Sequence, residues 1–168
     1  MTVADLETLY DYGYWANSKL FAVMRALTPE QFTREVAGSY GSLRNTLVHT
    51  LSAEAGWLGR CGGPERGPRL DPADFPTLES VQAKWQAVER DVRAFLRTLT
   101  DDDLGRVVEF SFDPSTTYAM PVAELLHHAA NHGVHHRGQV TLLLRALGVA
   151  PVDVDVLFYF PEKRSAKN

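Results

Sequence analysis

Apolar side chains recur at helical spacing in four separated segments of this chain, and four such stripes with almost no strand pattern leave few folds open. The first stripe is Leu6, Leu9, Tyr10, Gly13, Asn17, Leu20, Phe21, Met24 and Leu27. The second segment begins near Ser42 and runs SLRNTLVHTLSAEAGWLGR until the glycines and proline of CGGP end it. The third follows Thr77, a good N-cap, and places Val81, Trp85, Val88, Val92, Phe95, Leu96 and Leu99 on one face. The fourth opens at Pro121, suited to a first helical position, and runs to Leu147 before Gly148 and Pro151 stop it.

The connections add little regular structure. LTPEQFTREV after the first helix and LTDDDLGRVV after the third share a Leu-Thr start, an acidic stretch, an apolar residue and an arginine, which predicts two similar helix pairs. Residues 59–76 hold too much Gly and Pro for a helix or strand and read as a long loop, either a lid or a mere connection. VVEFSF reads as a short extended piece, and the tail VDVDVLFYF alternates like a strand or a docked extended arm. The fold class is therefore all-α: a four-helix bundle with long crossover connections and short extended segments, in one domain spanning residues 1–168.

Charge and cysteine content narrow the partners. A net charge of -4 and a pI near 5.8 leave no positive field for phosphate backbones, and no Lys/Arg block is interleaved with aromatics, so nucleic acid is not expected. Cys61 is the only cysteine, which rules out an internal disulfide and is read as an ordinary loop thiol. The start MTVADLETLYDYGYW lacks the basic and apolar runs of a secretory signal, and no apolar stretch reaches the length of a membrane span. The expectation is a soluble cytoplasmic protein with a small-molecule substrate.

Five of the six histidines lie in the fourth helix, three of them in NHGVHHRGQ, residues 131–139. With about 100° per residue, His136 lies about 40° to one side of His132 and His128 about 40° to the other. His127 points to the polar side and His135 sits at the edge of the face. Both 128/132 and 132/136 have the i, i+4 spacing that lets two imidazoles share a metal, and spacing alone does not choose between them. A third ligand must come from elsewhere, and His49 in the second helix is the one histidine outside the fourth. Three neutral imidazoles leave a coordination position open, which lowers the pKa of a thiol or water bound there. An ordinary imidazole pKa near 6.5 then predicts loss of metal below about pH 6.

His49 creates a conflict within its helix. Leu43, Leu47, Leu51 and Leu58 occupy one face, whereas His49 shares the other with Ser42, Asn45, Thr46, Ser52, Ala53 and Gly56. Either His49 is solvated, or its small-residue face lines a cleft and the leucine row points outward. The second case predicts a homodimer built on those leucines. Gln139, nearly one turn beyond His136, is a candidate catalytic residue for holding the nucleophile, or else it satisfies a neighbouring helix. Asn17 and Tyr10 are weaker pocket candidates, and Glu54 reads as a solvated helical charge.

Three segments, YDYGYWANSKL, HTLSAEAGW and NHGVHHRGQ ahead of LLLRALG, resemble the DinB/YfiT-like family of metalloproteins over nearly the whole chain. The resemblance implies a four-helix bundle and selects His49, His132 and His136 as ligands of a divalent metal, zinc or nickel foremost, with iron or manganese also admitted. It further implies transferases and isomerases that use low-molecular-weight thiols, although many relatives have no assigned reaction. The functional expectation is a metal-dependent enzyme that activates a thiol or water for transfer to, or hydrolysis of, a small electrophile. The rival is a non-catalytic metal-binding stress-response protein.

Overall fold

A computed structural model describes residues 1–63 and 69–165, so the middle of the 59–76 loop lies outside the described residues. Four long helices dominate: α1 (Val3–Met24), α3 (Leu43–Arg60), α4 (Leu78–Leu96) and α5 (Val122–Ala146). A short α2 (Pro29–Thr33) lies between the first two, and α6 (Val156–Ser165) follows the last. Most starts are fixed by a hydroxyl. Thr2, Thr28 and Thr77 form reciprocal caps with Asp5, Gln31 and Ser80, and the Ser42 hydroxyl accepts from the backbone N–H of Asn45. Pro121 stands one position earlier than the sequence suggests, as the N-cap of α5, and Gly148 at φ +79° takes the chain out of that helix.

The long helices form the all-α four-helix bundle that their apolar stripes predict. α5 packs against α1 and α3, and α4 packs against the same two from the other side. Successive long helices α1 and α3 thus occupy opposite corners, as do α4 and α5, and both links between them are crossovers. The first crossover contains α2 and the second a 3-10 turn, Asp103–Gly105, so the two Leu-Thr connections do both begin with a short helical turn. The second continues into an antiparallel hairpin, β1 (Val107–Asp113) with β2 (Thr116–Pro121), which realises the extended reading of VVEFSF. No helix is long and apolar enough to cross a membrane among the described residues.

Two expectations are corrected. The tail is not a strand: Val156–Ser165 is helical, and the Asp155 carboxylate accepts from the backbone N–H of Leu157 at 2.9 Å to start it. Tyr159 is buried between the rings of Tyr12 (5.8 Å) and Trp15 (5.7 Å), and Lys163 bonds both Asp11 and the Tyr159 hydroxyl at 2.7 Å. One aromatic anchor and one ion pair thus override an alternation only a few residues long. The leucine row also does not point outward. Leu43, Leu47, Leu51 and Leu58 are at most 4% exposed within their own chain, because α3 packs against both α4 and α5 and buries a second arc. The homodimer expectation therefore loses its premise.

Because Leu51 is fully enclosed, Leu51→Ala should leave a cavity and lower the unfolding free energy by about 2–5 kcal/mol in urea titrations. A loss below about 1 kcal/mol would mean that this face is not core.

Candidate metal centre

α5 carries His132 and His136 one turn apart on the side that faces α3, and α3 presents His49 to them. The Nε2 atom of His132 lies 3.0 Å from that of His136 and 3.3 Å from that of His49. Among the described residues these three form a donor group able to hold a metal ion. The spacing suits one: a tetrahedral ion with bonds of about 2.05 Å holds its donors roughly 3.3 Å apart. His128 is exposed and lies edge-on to Trp57, with ring centroids 4.9 Å apart, and His127 and His135 are exposed as well.

The protonation of His136 follows from its neighbour. Gln139 places its amide oxygen 2.6 Å from Nδ1, so Nδ1 carries the proton and Nε2 keeps a lone pair directed at the other two imidazoles. The same oxygen accepts from the Ser39 hydroxyl at 2.7 Å, and the amide nitrogen lies 3.1 Å from Nε2 of His135. Both ends of Gln139 are thus engaged by side chains.

Ser39 belongs to a tight loop whose left-handed residues are Gly38 (φ +100°), Ser39 (+50°) and Gly41 (+82°). The loop brings Tyr40 over the site. Its ring stacks on His49 at 3.8 Å, and its hydroxyl lies 2.9 Å from His49 Nε2. Sequence reasoning missed Tyr40, although the two glycines flanking Ser-Tyr were a signal that the backbone turns sharply there. Behind Tyr40 opens a cleft of about 450 Å³ bordered by His49, His132, His128, Trp57 and Phe112.

A second polar layer lies beneath the imidazoles. Arg137 is buried, with its guanidinium 5.3 Å from the Tyr12 ring centre and 3.5 Å from the amide oxygen of Asn17. Gly13 and Gly133 make room for it: a Cβ at Gly133 would lie 3.1 Å from the guanidinium and one at Gly13 would lie 3.6 Å away. Glu54 is not the solvated charge its sequence suggests. Its carboxylate accepts from the Tyr14 hydroxyl at 2.6 Å, and burial raises its pKa against the opposing effects of that bond and of Arg137. Asn17 thus braces Arg137. Tyr10 donates to the Leu126 carbonyl at 3.1 Å inside the core. Cys61 is not a loop thiol but the buried C-cap of α3, and burial pushes its pKa up to about 11, which leaves it unreactive.

Burial, followed by the charges of neighbouring histidines, lowers His49 and His132 to about 4. Burial lowers His136 too, against the Gln139 bond that favours its charged form. His49 and His132 are therefore neutral donors well below neutral pH, and burial shifts His136 in the same direction.

Comparisons with known proteins fit this architecture. The DinB family matches residues 1–165. Protein DinB of Bacillus subtilis is 28% identical over 157 residues, which span 90% of this chain and 91% of that protein. A DinB-like protein from Bacillus cereus superposes with a TM-score of 0.74 at 24% identity, over 92% of this chain and 98% of that one. YfiT of Bacillus subtilis, described as a probable metal-dependent hydrolase with an unusual four-helix bundle topology, gives 0.63 at 20% identity over 86% and 89%.

The depressed imidazoles set a pH window. Their folded pKa values lie below the ordinary 6.5, so the unfolded chain takes up protons first as the pH falls. Their contribution to stability is complete above about pH 6.5 and is lost as the pH falls through about 4. Urea midpoints of metal-free protein should fall across that window, and proton competition for a bound ion should move down from pH 6 toward pH 4. In His132→Ala the midpoint should fall less, and an identical fall would assign the effect to other groups.

Proposed function

The chain belongs to the DinB family, and from that premise we propose that it is a metal-dependent enzyme holding one divalent ion through His49, His132 and His136. The observation that carries this reading is the meeting of three Nε2 atoms from two helices, with the His136 tautomer set by Gln139. Imidazole donors suit zinc, nickel, copper and iron alike, so the donor set sets the class of ion, with zinc or nickel taken first and iron or manganese next. An ion bound there supplies a Lewis acid with an open position that lowers the pKa of a thiol or water. The description of YfiT as a probable metal-dependent hydrolase supports the hydrolytic form, and a low-molecular-weight thiol cosubstrate would give the transferase form.

The chain's own residues then have distinct tasks. His49, His132 and His136 remain neutral and offer lone pairs. Gln139 acts through His136 as a positioning residue, because both of its polar ends are already engaged. Tyr40 places a hydroxyl beside His49 Nε2, where it can hydrogen-bond a substrate atom at the open position. The cleft admits a small electrophile alongside.

Protein purified without an affinity tag should contain one divalent ion per chain by elemental analysis. His132→Ala should abolish uptake, whereas His127→Ala and His128→Ala should keep it; the reverse pattern would sink the ligand assignment. Gln139→Ala should weaken metal affinity by about 10–100-fold. Tyr40→Phe should leave the stoichiometry unchanged while lowering turnover in a screen of thiols and electrophiles. If Tyr40→Phe released the metal, the hydroxyl would be a fourth ligand and the site a closed, structural one.

A further inference from the structure

Thr46 stands one turn before His49 on α3, and Gln139 stands one turn after His136 on α5. A single atom joins them. The Ser39 hydroxyl oxygen lies 2.9 Å from the Thr46 hydroxyl and donates to the Gln139 amide oxygen at 2.7 Å. Both anchors are set by other bonds. Thr46 is fully buried and donates to the Ser42 carbonyl at 2.8 Å, and the Gln139 oxygen also accepts from Nδ1 of His136.

The backbone shows what position 39 gains from a side chain. Gly38 and Gly41 take left-handed angles that suit glycine, whereas Ser39 at φ +50° takes one that side chains avoid. A glycine would fit the turn better. The loop is closed without the hydroxyl, by the Val36 N–H donating to the Gly41 carbonyl at 2.8 Å and the Gly41 N–H to the Gly38 carbonyl at 3.2 Å. The Asn45 amide adds a bond to the Tyr40 carbonyl at 3.2 Å. Both contacts of the Ser39 hydroxyl instead lie on the helices that carry the imidazoles.

We propose that Ser39 is a positioning residue of the metal centre: its hydroxyl ties α3 to α5 one turn from the ligands and holds the Gln139 oxygen against His136. The same anchor keeps the adjoining Tyr40 over His49. The proposal rests on the metal-dependent reading above and adds the residue that aligns its donor set. Without the hydroxyl, the Gln139 amide is free to turn about its last torsion, which exchanges oxygen for nitrogen at His136. An amide N–H facing Nδ1 favours the tautomer with its proton on Nε2, where an ion needs the lone pair.

Zinc titration of wild type, Ser39→Ala and Ser39→Gly, beside urea unfolding of each, tests this. Ser39 is exposed, so neither variant empties the core. Ala keeps the left-handed strain and Gly removes it, while both delete the hydroxyl. Zinc affinity should fall by about tenfold in both, although Gly is the more stable of the two in urea. Ser39→Ala added to Gln139→Ala should cost less than about twofold more, because the hydroxyl acts through that amide. Cobalt-loaded Ser39→Ala should show a visible spectrum displaced from that of wild type, the sign of a changed donor geometry. Wild-type zinc affinity and cobalt spectrum in both variants overturn the proposal. An affinity that follows the urea midpoint overturns it too, since Ser39 would then serve the loop alone, as do losses that multiply in the double variant. Should wild type take up no zinc, the metal reading fails by itself. Metal-free protein then carries the test through the ring-nitrogen chemical shifts of His136: Ser39→Ala should move the proton from Nδ1 toward Nε2, and an unchanged tautomer overturns the proposal.

Discussion

A guanidinium buried in a helical bundle is the constraint around which this structure is arranged. Arg137 cannot lose its charge, so the helices around it must supply acceptors, a π-face and space. α1 supplies Tyr12 and Asn17, α3 supplies Glu54 as the countercharge, and Gly13 and Gly133 leave the volume that side chains would fill. Tyr14 then reaches from α1 to Glu54 on α3, joining helices at opposite corners of the bundle. These contacts fix the rotation of α5 about its axis. Since His136 precedes Arg137, they also fix which way the imidazoles face.

α5 therefore works in two directions. Arg137 ties it back to α1, while His132 and His136 look forward to His49 on α3. Around the front a smaller set of polar bonds finishes the alignment. Ser39 and His136 converge on the Gln139 oxygen, so the strained loop that carries Tyr40 is anchored to the same helix as two of the imidazoles. Loop, ligand face and buried brace share a single helix, and a shift in any one is felt by the others.

The helices and their hydroxyl caps could be read from the sequence because they depend on local spacing. The histidine trio could be read because only one histidine lies outside the fourth helix, and the resemblance selected the pair within it. What could not be read depends on which elements become neighbours. The face of His49 seemed misplaced only on the premise that a helix buries one stripe, whereas α3 has α4 on one flank and α5 on another. Glu54 looked like a surface charge and Arg137 carried no distinguishing signal, since nothing in their local sequence reveals a tyrosine 40 residues away or glycines on two helices. The tail alternated like a strand, but Tyr159 and Lys163 had partners on α1 that the alternation could not indicate.

His49 and His132 are separated by 83 residues and belong to helices that become neighbours only after the α3–α4 loop and the hairpin crossover are both in place. Loops of that length close slowly compared with the growth of a single helix. The complete donor set thus exists only once α5 has docked on α3, through the same packing that encloses the α3 leucines. Anything that needs all three imidazoles encounters a chain already near its native form. It would act on the lifetime of the folded state, slowing its opening, and would do little to hasten its formation.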